Sequence, residues 1–219
     1  MTPADARGST RTKRRDLLLD ATAAIVIDEG WSAVTMGRLA SAVQVSRQSV
    51  YNELGSKDKL AVALVARETR RFLDTVQLQL LSHPEDMTTA TMAAVDSALR
   101  MGEENPLLRA IISAAHGKAD GLLPLLTIRS APVLDSSVMM LTTFADEHWS
   151  GLAGSTDELH ELVDAIVRLT LSHLVRPQWP VPRVTALVGR LVDAALLAAR
   201  TEAGVSRAPT NGRLTEAHR

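Results

Sequence analysis

Apolar residues return at helical spacing from Lys13 onward, with Leu17, Leu18, Ala21, Ala24 and Ile25 forming a stripe. Gly30 then stands where a helix ends in the left-handed conformation that favours glycine. Thr35 opens a short second helix through Met36, Leu39, Ala40 and Val43, its hydroxyl placed to cap free amides. Three residues after Val43, Ser46 caps a third helix from Arg47 to Leu54. Gly55 stops it, and Ser56 caps a long fourth helix from Lys57 to Leu81. Two short capped helices separated by a few residues cannot bury their faces alone. They must cross a third helix at a steep angle, and Leu17 to Ile27 offers that surface.

Beyond Pro84 the pattern predicts helices at 86–103 and 106–116, the second opened by Pro106. Gly117 to Pro132 reads as an irregular stretch around the apolar insert Leu122-Leu123-Pro124-Leu125-Leu126. A helix is expected from Val133 to Trp149, a loop from Gly151 to Ser155, and a helix from Thr156 to Val175. Pro177, Pro180 and Pro182 break the chain before a last helix at 183–202, whose apolar positions 184, 187, 188, 191, 192, 195, 196 and 199 make a wide face. No segment alternates as a strand would, and no internal repeat is present. The expected organisation is an arm at 1–12, a head at 13–60, a body at 61–203 and a polar tail at 204–219.

Composition narrows the picture. Hydrophobic residues make up 46%, enough for a sizeable core, and only six residues are aromatic, so the interior must be aliphatic and suited to helices. The absence of cysteine excludes disulfide frameworks, thiol redox chemistry and cysteine-held zinc. Neither a leader with an apolar stretch nor an apolar run of about 20 residues is present, which points to a cytoplasmic protein with no membrane partner. Charge is divided unevenly. Residues 1–71 hold 12 Lys and Arg against 8 Asp and Glu, a balance of +4, whereas residues 72–219 hold 12 against 17, a balance of −5. A basic head on an acidic body suits an anionic partner at the head alone.

A helix that enters the major groove presents side chains near its N-terminus to the bases. Arg47, Gln48 and Ser49 stand there; arginine can bond guanine and glutamine adenine in bidentate fashion. Thr35 and Ser46 bring hydroxyls and free amides toward the backbone, Tyr51 a phenol and Lys57 an ammonium, as phosphate anchors. Arg11, Lys13, Arg14, Arg15, Arg38 and Lys59 add charge nearby.

The stretch from Arg14 to Leu64 resembles the DNA-binding head of the tetracycline-repressor (TetR) family. The resemblance is carried by Ala21 and Ala24, by Gly30-Trp31-x-x-Val34-Thr35-Met36, and by Leu39-Ala40 and Val45-Ser46. It continues through Val50-Tyr51-x-x-Leu54-x-Ser56-Lys57-x-x-Leu60. It implies DNA contacts at Thr35, at Arg47 to Ser49, at Tyr51 and at Lys57. After the aromatic residue the family often has Tyr-His-Phe, where this chain has Asn52, Glu53 and Leu54; Glu53 would repel phosphate, so it is expected to turn away from DNA.

Beyond residue 70 only the helical layout and length agree with the family, which implies a ligand-binding, dimer-forming bundle. The residues suggest the same: helices 157–175 and 183–202 have apolar faces too broad for one partner, so pairing with a second copy would make a two-fold four-helix interface. Two heads related in this way read an inverted repeat in double-stranded DNA. Candidate walls for a ligand pocket are Met101, Leu108, Ile111, Ile112, Leu122, Leu126, Met139, Met140, Phe144 and Trp149, which suit a lipophilic effector such as a fatty-acid-like molecule or a hydrophobic drug. His116, His148 and His173 show no metal-ligand spacing, and no phosphate loop, nucleophile elbow or H-E-x-x-H motif is present. No cofactor, metal or catalytic residue is therefore expected.

The expected fold is all-α, with an N-terminal three-helix helix-turn-helix head and a C-terminal helical bundle for ligand binding and dimerisation. The expected function is a homodimeric repressor released when a hydrophobic small molecule displaces helix 86–103 or 106–116 and so moves the long helix from Lys57. Three alternatives stay open: an activator or corepressor-dependent regulator, an all-helical carrier of lipophiles or enzyme with an incidental basic head, and a non-specific architectural DNA binder.

Overall fold

The computed structural model describes the backbone of residues 3–114 and 123–206, and the side chains of residues 13–110, 135 and 137–202. Helix α1 runs Pro3–Glu29, α2 Met36–Ala42, α3 Arg47–Leu54 and α4 Lys57–Leu81. Helix α5 runs Met87–Glu104, α6 Pro106–Ala114, α7 Leu123–Trp149, α8 Thr156–Val175 and α9 Val181–Ser206. A single 3-10 turn at Trp31–Ala33 links α1 to α2, and no described residue is in a strand.

Side-chain caps set the helix starts. The hydroxyls of Thr35, Ser46 and Ser56 accept from the amides of Arg38, Ser49 and Lys59, as their spacing predicts. Ser155 and Glu158 close a reciprocal capping box at α8, and its hydrogen bonds hold the Glu158 carboxyl below the usual carboxylate range. Gly55, at a φ of +74°, ends α3 by donating its amide to the Tyr51 carbonyl at 2.8 Å.

Three boundaries differ from the expectation. Helix α1 begins at Pro3 rather than Lys13, so residues 3–12 continue the helix instead of standing apart as an arm. Proline is at home in a first helical turn, where its missing N–H has no partner to lose. Helix α7 begins at Leu123, ten residues before Val133, and takes in the apolar insert from Leu123 onward. Pro124 sits in its first turn for the same reason as Pro3. Helix α9 runs on to Ser206, past the expected start of the tail.

The buried stripe of α1 is also rotated from the predicted one. Leu18, Leu19, Thr22 and Val26 are buried, while Leu17 is 56% exposed and Ala24 faces outward. Thr22 tolerates burial because its hydroxyl donates to the Leu18 carbonyl at 2.7 Å, so a polar residue occupies a core position that hydropathy passes over.

Two hydrophobic clusters result. One, in the head, gathers Leu18, Trp31, Leu39, Val50, Leu54, Leu60 and Leu64 from α1 to α4. The other, in the body, centres on α5, which packs against α4, α8 and α9. Leu107 of α6 belongs to the head cluster although its helix lies in the body, so α6 reaches across and touches α1.

Within the turn between α2 and α3, Gln44 has a φ of +54°, the one positive φ among described residues other than glycine. A left-handed conformation costs an L-residue about 1–2 kcal/mol, part of which glycine returns as backbone entropy. Gln44→Gly is therefore expected to stabilise the head by about 0.5–1 kcal/mol, read as a higher midpoint in thermal unfolding.

Candidate nucleic-acid interface and body cavity

On α3 a four-residue spacing puts Val50 and Leu54 into the core, at 0% and 4% exposure, and leaves the opposite face to solvent. Arg47 and Gln48 stand exposed at the first turn, as the sequence predicts for base-reading side chains. Ser49 is half-buried, and its hydroxyl lies 2.9 Å from that of Ser46, so it braces the cap. The Gln48 amide donates to the Asn52 carbonyl oxygen at 3.0 Å, which brings exposed Asn52 onto the same face. Sequence reasoning passed over Asn52, although its four-residue spacing from Gln48 is the signal for such a pair.

The Arg47 guanidinium folds back over α2. A Cβ on Gly37 would lie 2.9 Å from Arg47 Nη2, so glycine leaves the space in which this side chain rests. Thr35, Gly37, Arg38, Ser41 and Arg47 together rim a shallow polar hollow between α2 and α3.

The predicted phosphate anchors surround this face. Thr35 and Ser46 are exposed, each accepting one backbone amide, and a hydroxyl in that position keeps further capacity toward a phosphate oxygen. Tyr51 is 51% exposed. Lys57 Nζ donates to the Ser32 carbonyl at 3.5 Å and lies 5.2 Å from the centroid of the Trp31 ring, which fixes an ammonium beside the start of α2.

Several other cations are already committed. Arg38 binds Glu29 through both guanidinium nitrogens, one at 2.9 Å, and this contact holds the Glu29 carboxyl below its ordinary range. Arg14 lies 3.9 Å from the Glu53 carboxylate, and Arg15 donates to the Glu53 carbonyl at 2.9 Å. Glu53 thus lies against α1, where Arg14 is drawn to its carboxylate. Lys13 and Lys59 remain exposed, and Arg11 lies outside the described side chains.

In the body, α4, α5, α7 and α8 line a half-open cavity of about 220 Å³. Phe72, Val76, Val95, Ala98, Ile166 and Val167 supply much of its wall, and no charged residue lines it among the described residues. Thr91, Ser137 and Thr170 are its polar side chains, and the Thr170 hydroxyl is spent on the Ile166 carbonyl at 2.8 Å.

Of the residues named from the sequence as pocket walls, Trp149 lines this cavity, with its indole N–H donating to the Pro84 carbonyl at 2.8 Å. The other predicted walls stand elsewhere. Met101 borders an open groove beside Arg100 and Glu104. Leu108 and Met140 are half-buried away from the cavity, and Met139 is 66% exposed. Phe144 is buried in the body cluster, stacked on His148 with ring centroids 4.1 Å apart. The predicted positions Ile111, Ile112, Leu122 and Leu126 lie outside the described side chains. The displacement has a physical reason: buried apolar periodicity does not distinguish a side chain facing a void from one facing another side chain.

His148 and His173 each use Nδ1 on the backbone carbonyl four residues earlier, at 3.0 Å, and His116 lies outside the described residues. Among the described residues no three His, Asp or Glu side chains come together as a metal site. No described helix is long and apolar enough to cross a membrane.

Comparison with known proteins agrees with this arrangement at both ends of the chain. Residues 18–64 match the family described as "Bacterial regulatory proteins, tetR family", and residues 86–193 match "Bacterial Tetracyclin repressor, C-terminal domain". The HTH-type transcriptional regulator AlkX of Mycobacterium tuberculosis is 30% identical over 184 residues, covering 84% of this chain and 85% of that protein. The fold is similar to that of AlkX from Dietzia sp., a TetR-family repressor implicated in biodegradation of n-alkanes. That likeness has a TM-score of 0.65 and 22% identity, over 84% of this chain and 97% of that one. A regulator of Mesorhizobium loti assigned to the TetR family follows, with a TM-score of 0.61 and 16% identity over 86% and 97% of the two chains. These relatives and families are transcriptional regulators and not enzymes.

Proposed function

The chain belongs to the TetR family of helix-turn-helix transcriptional regulators, and from that membership we propose that it is a ligand-responsive repressor, binding an inverted-repeat operator as a homodimer and released by a hydrophobic small molecule. The observation that carries the reading is the coexistence of an exposed Arg47–Gln48 face on α3 with an apolar cavity in the body.

Arg47 and Gln48 would read bases, with Ser49 close behind them, while Thr35, Ser46, Tyr51 and Lys57 would hold phosphates and fix the docking register. Dimerisation through α8 and α9 is supported by exposed apolar residues: Leu191 and Leu197 on α9, and on α8 Leu171 and Val175, of which Leu171 stands at the rim of the body cavity. A second copy would cover both faces about a two-fold axis.

Release requires a link between cavity and head. Helix α5 forms one wall of the cavity and contacts α6, whose Leu107 is 4% exposed within the head cluster. A ligand that shifts α5 would move α6 and α4 together, and with them the spacing of the two α3 helices. Coupling of this kind is typically about 1–3 kcal/mol, or roughly 5–150-fold in operator affinity.

The test is selection of binding sites from a random duplex pool at near-physiological salt. The expected product is an inverted repeat bound by a dimer. Recovery of no motif from folded, dimeric protein would reject the repressor reading and favour a lipophile carrier. Binding that collapses with salt and shows no sequence preference would point to an architectural role.

A further inference from the structure

The two base-reading side chains of α3 rest in different ways. The Arg47 guanidinium lies folded back over α2 against Gly37, so it has to swing out before it meets a base edge. Gln48 is already held at the exposed face, its Nε2 donating to Asn52 Oδ1 at 3.0 Å. Asn52 stands one turn on, exposed, on the side of α3 opposite the buried Val50 and Leu54. It is also a position at which the chain departs from the family, where tyrosine is common.

What this hydrogen bond leaves free decides which base the glutamine suits. An amide nitrogen carries two hydrogens, and the amide oxygen accepts. Asn52 takes one hydrogen of Gln48 Nε2, which leaves one N–H and Oε1 to face outward. That donor and acceptor match adenine, whose major-groove edge accepts at N7 and donates at N6. Guanine offers two acceptors there, N7 and O6. A glutamine free to turn can point both amide hydrogens at them. A glutamine tied to Asn52 has one N–H left for two acceptors and sets its oxygen against the other.

We infer that Asn52 is a positioning residue for base specificity: it fixes the sense of the Gln48 amide and so sets adenine above guanine at the base pair that Gln48 reads. This role rests on the base reading proposed above for Gln48 and adds what sharpens it. Amide pairs one turn apart on a helix favour their bonded geometry by a factor of about 1.4–2.3. Two heads act on one operator, so the factors multiply to about two- to fivefold across the site.

The test is competition binding of the full-length protein to its selected operator and to the same duplex with guanine in place of adenine at that pair in both half-sites. The pair is located as the one whose preference Gln48→Ala removes. Asn52→Ala is expected to lower the adenine preference about two- to fivefold. Alanine is the better helix former, so loss of α3 would not account for the change. In a Gln48→Ala background the same substitution should leave the ratio of the two affinities unmoved. Asn52→Asp keeps an oxygen for Gln48 Nε2 and should retain the preference, while its charge weakens binding to both duplexes alike. A preference unchanged by Asn52→Ala, or lost in Asn52→Asp, would overturn the positioning role. So would a ratio that Asn52→Ala lowers equally in the Gln48→Ala background, which would make Asn52 a direct contact. Guanine preferred at that pair, or no pair that depends on Gln48, would overturn it as well and leave the operator and the repressor reading intact. Selection of no operator would remove both.

Discussion

Replacing Arg47 and Gln48 together by alanine is expected to abolish selection of the operator, weakening specific binding by at least about 100-fold while leaving a folded, dimeric protein. A good bidentate contact between side chain and base is worth about 1–3 kcal/mol of discrimination, and two per half-site act in both heads of the dimer. Neither residue carries the fold. Both are exposed, the α3 core residues are Val50 and Leu54, and the cap is made by Ser46. The local losses are the rest of Arg47 against Gly37 and the Gln48–Asn52 hydrogen bond, the latter worth only a few tenths of a kcal/mol. Residual affinity for unrelated DNA should persist, because Thr35, Ser46, Tyr51 and Lys57 are untouched and phosphate contacts carry no sequence information. Competition binding with operator and scrambled duplexes, at two salt concentrations, reads both quantities. A double variant that still preferred the operator over scrambled DNA would remove α3 from the role of base reader.

The head was legible in the sequence because its determinants are local. Thr35, Ser46 and Ser56 each bond the amide three residues on, and such caps need no knowledge of the rest of the chain. The spacing of Val50 and Leu54 is equally local. What remained hidden was long-range. Glu29 and Arg38 meet across the turn after α1, and Arg15 meets Glu53 from 38 residues away. These pairs withdraw cations that composition alone had assigned to DNA. Gln44 was hidden for another reason: glycine is the usual sign of a positive φ, and a glutamine that adopts one gives no such sign.

The cavity was the least legible feature, and the cause is instructive. Sequence reasoning sought its walls in the methionine-rich and aromatic stretch from Met101 to Trp149, whereas Phe72 on α4 and Val163, Ile166 and Val167 on α8 supply much of it. Those valines and isoleucines have the periodicity of ordinary core, and most of them serve the core as well. A void arises where four helices diverge slightly, which is a property of their crossing and not of any one stripe. Of the residues named from the sequence, Trp149 lines the cavity among the described side chains.

Filling the cavity should separate ligand occupancy from DNA binding more completely than any other single change. Ala98→Phe adds a ring where α5 faces the void, at a residue that is 4% exposed. Inserting bulk into a packed interior costs about 1–3 kcal/mol, but here the added atoms have about 220 Å³ of space to enter. The expected variant keeps operator affinity within about twofold and needs at least about 100-fold more effector for release, since even 3 kcal/mol of lost alkyl burial is more than two decades. Operator release measured across an effector titration, beside direct ligand binding, distinguishes the possible failures. Release at the original concentration would mean that the effector acts elsewhere than in this cavity. Leu107→Ala provides the complementary case, because Leu107 belongs to the head cluster and does not line the cavity. It should leave ligand binding intact while weakening both the head and its response, since truncating a buried leucine removes about 2–5 kcal/mol of packing where α6 meets α1. Occupancy without release in one variant, and unchanged DNA binding without occupancy in the other, would together assign the cavity to sensing and α6 to transmission.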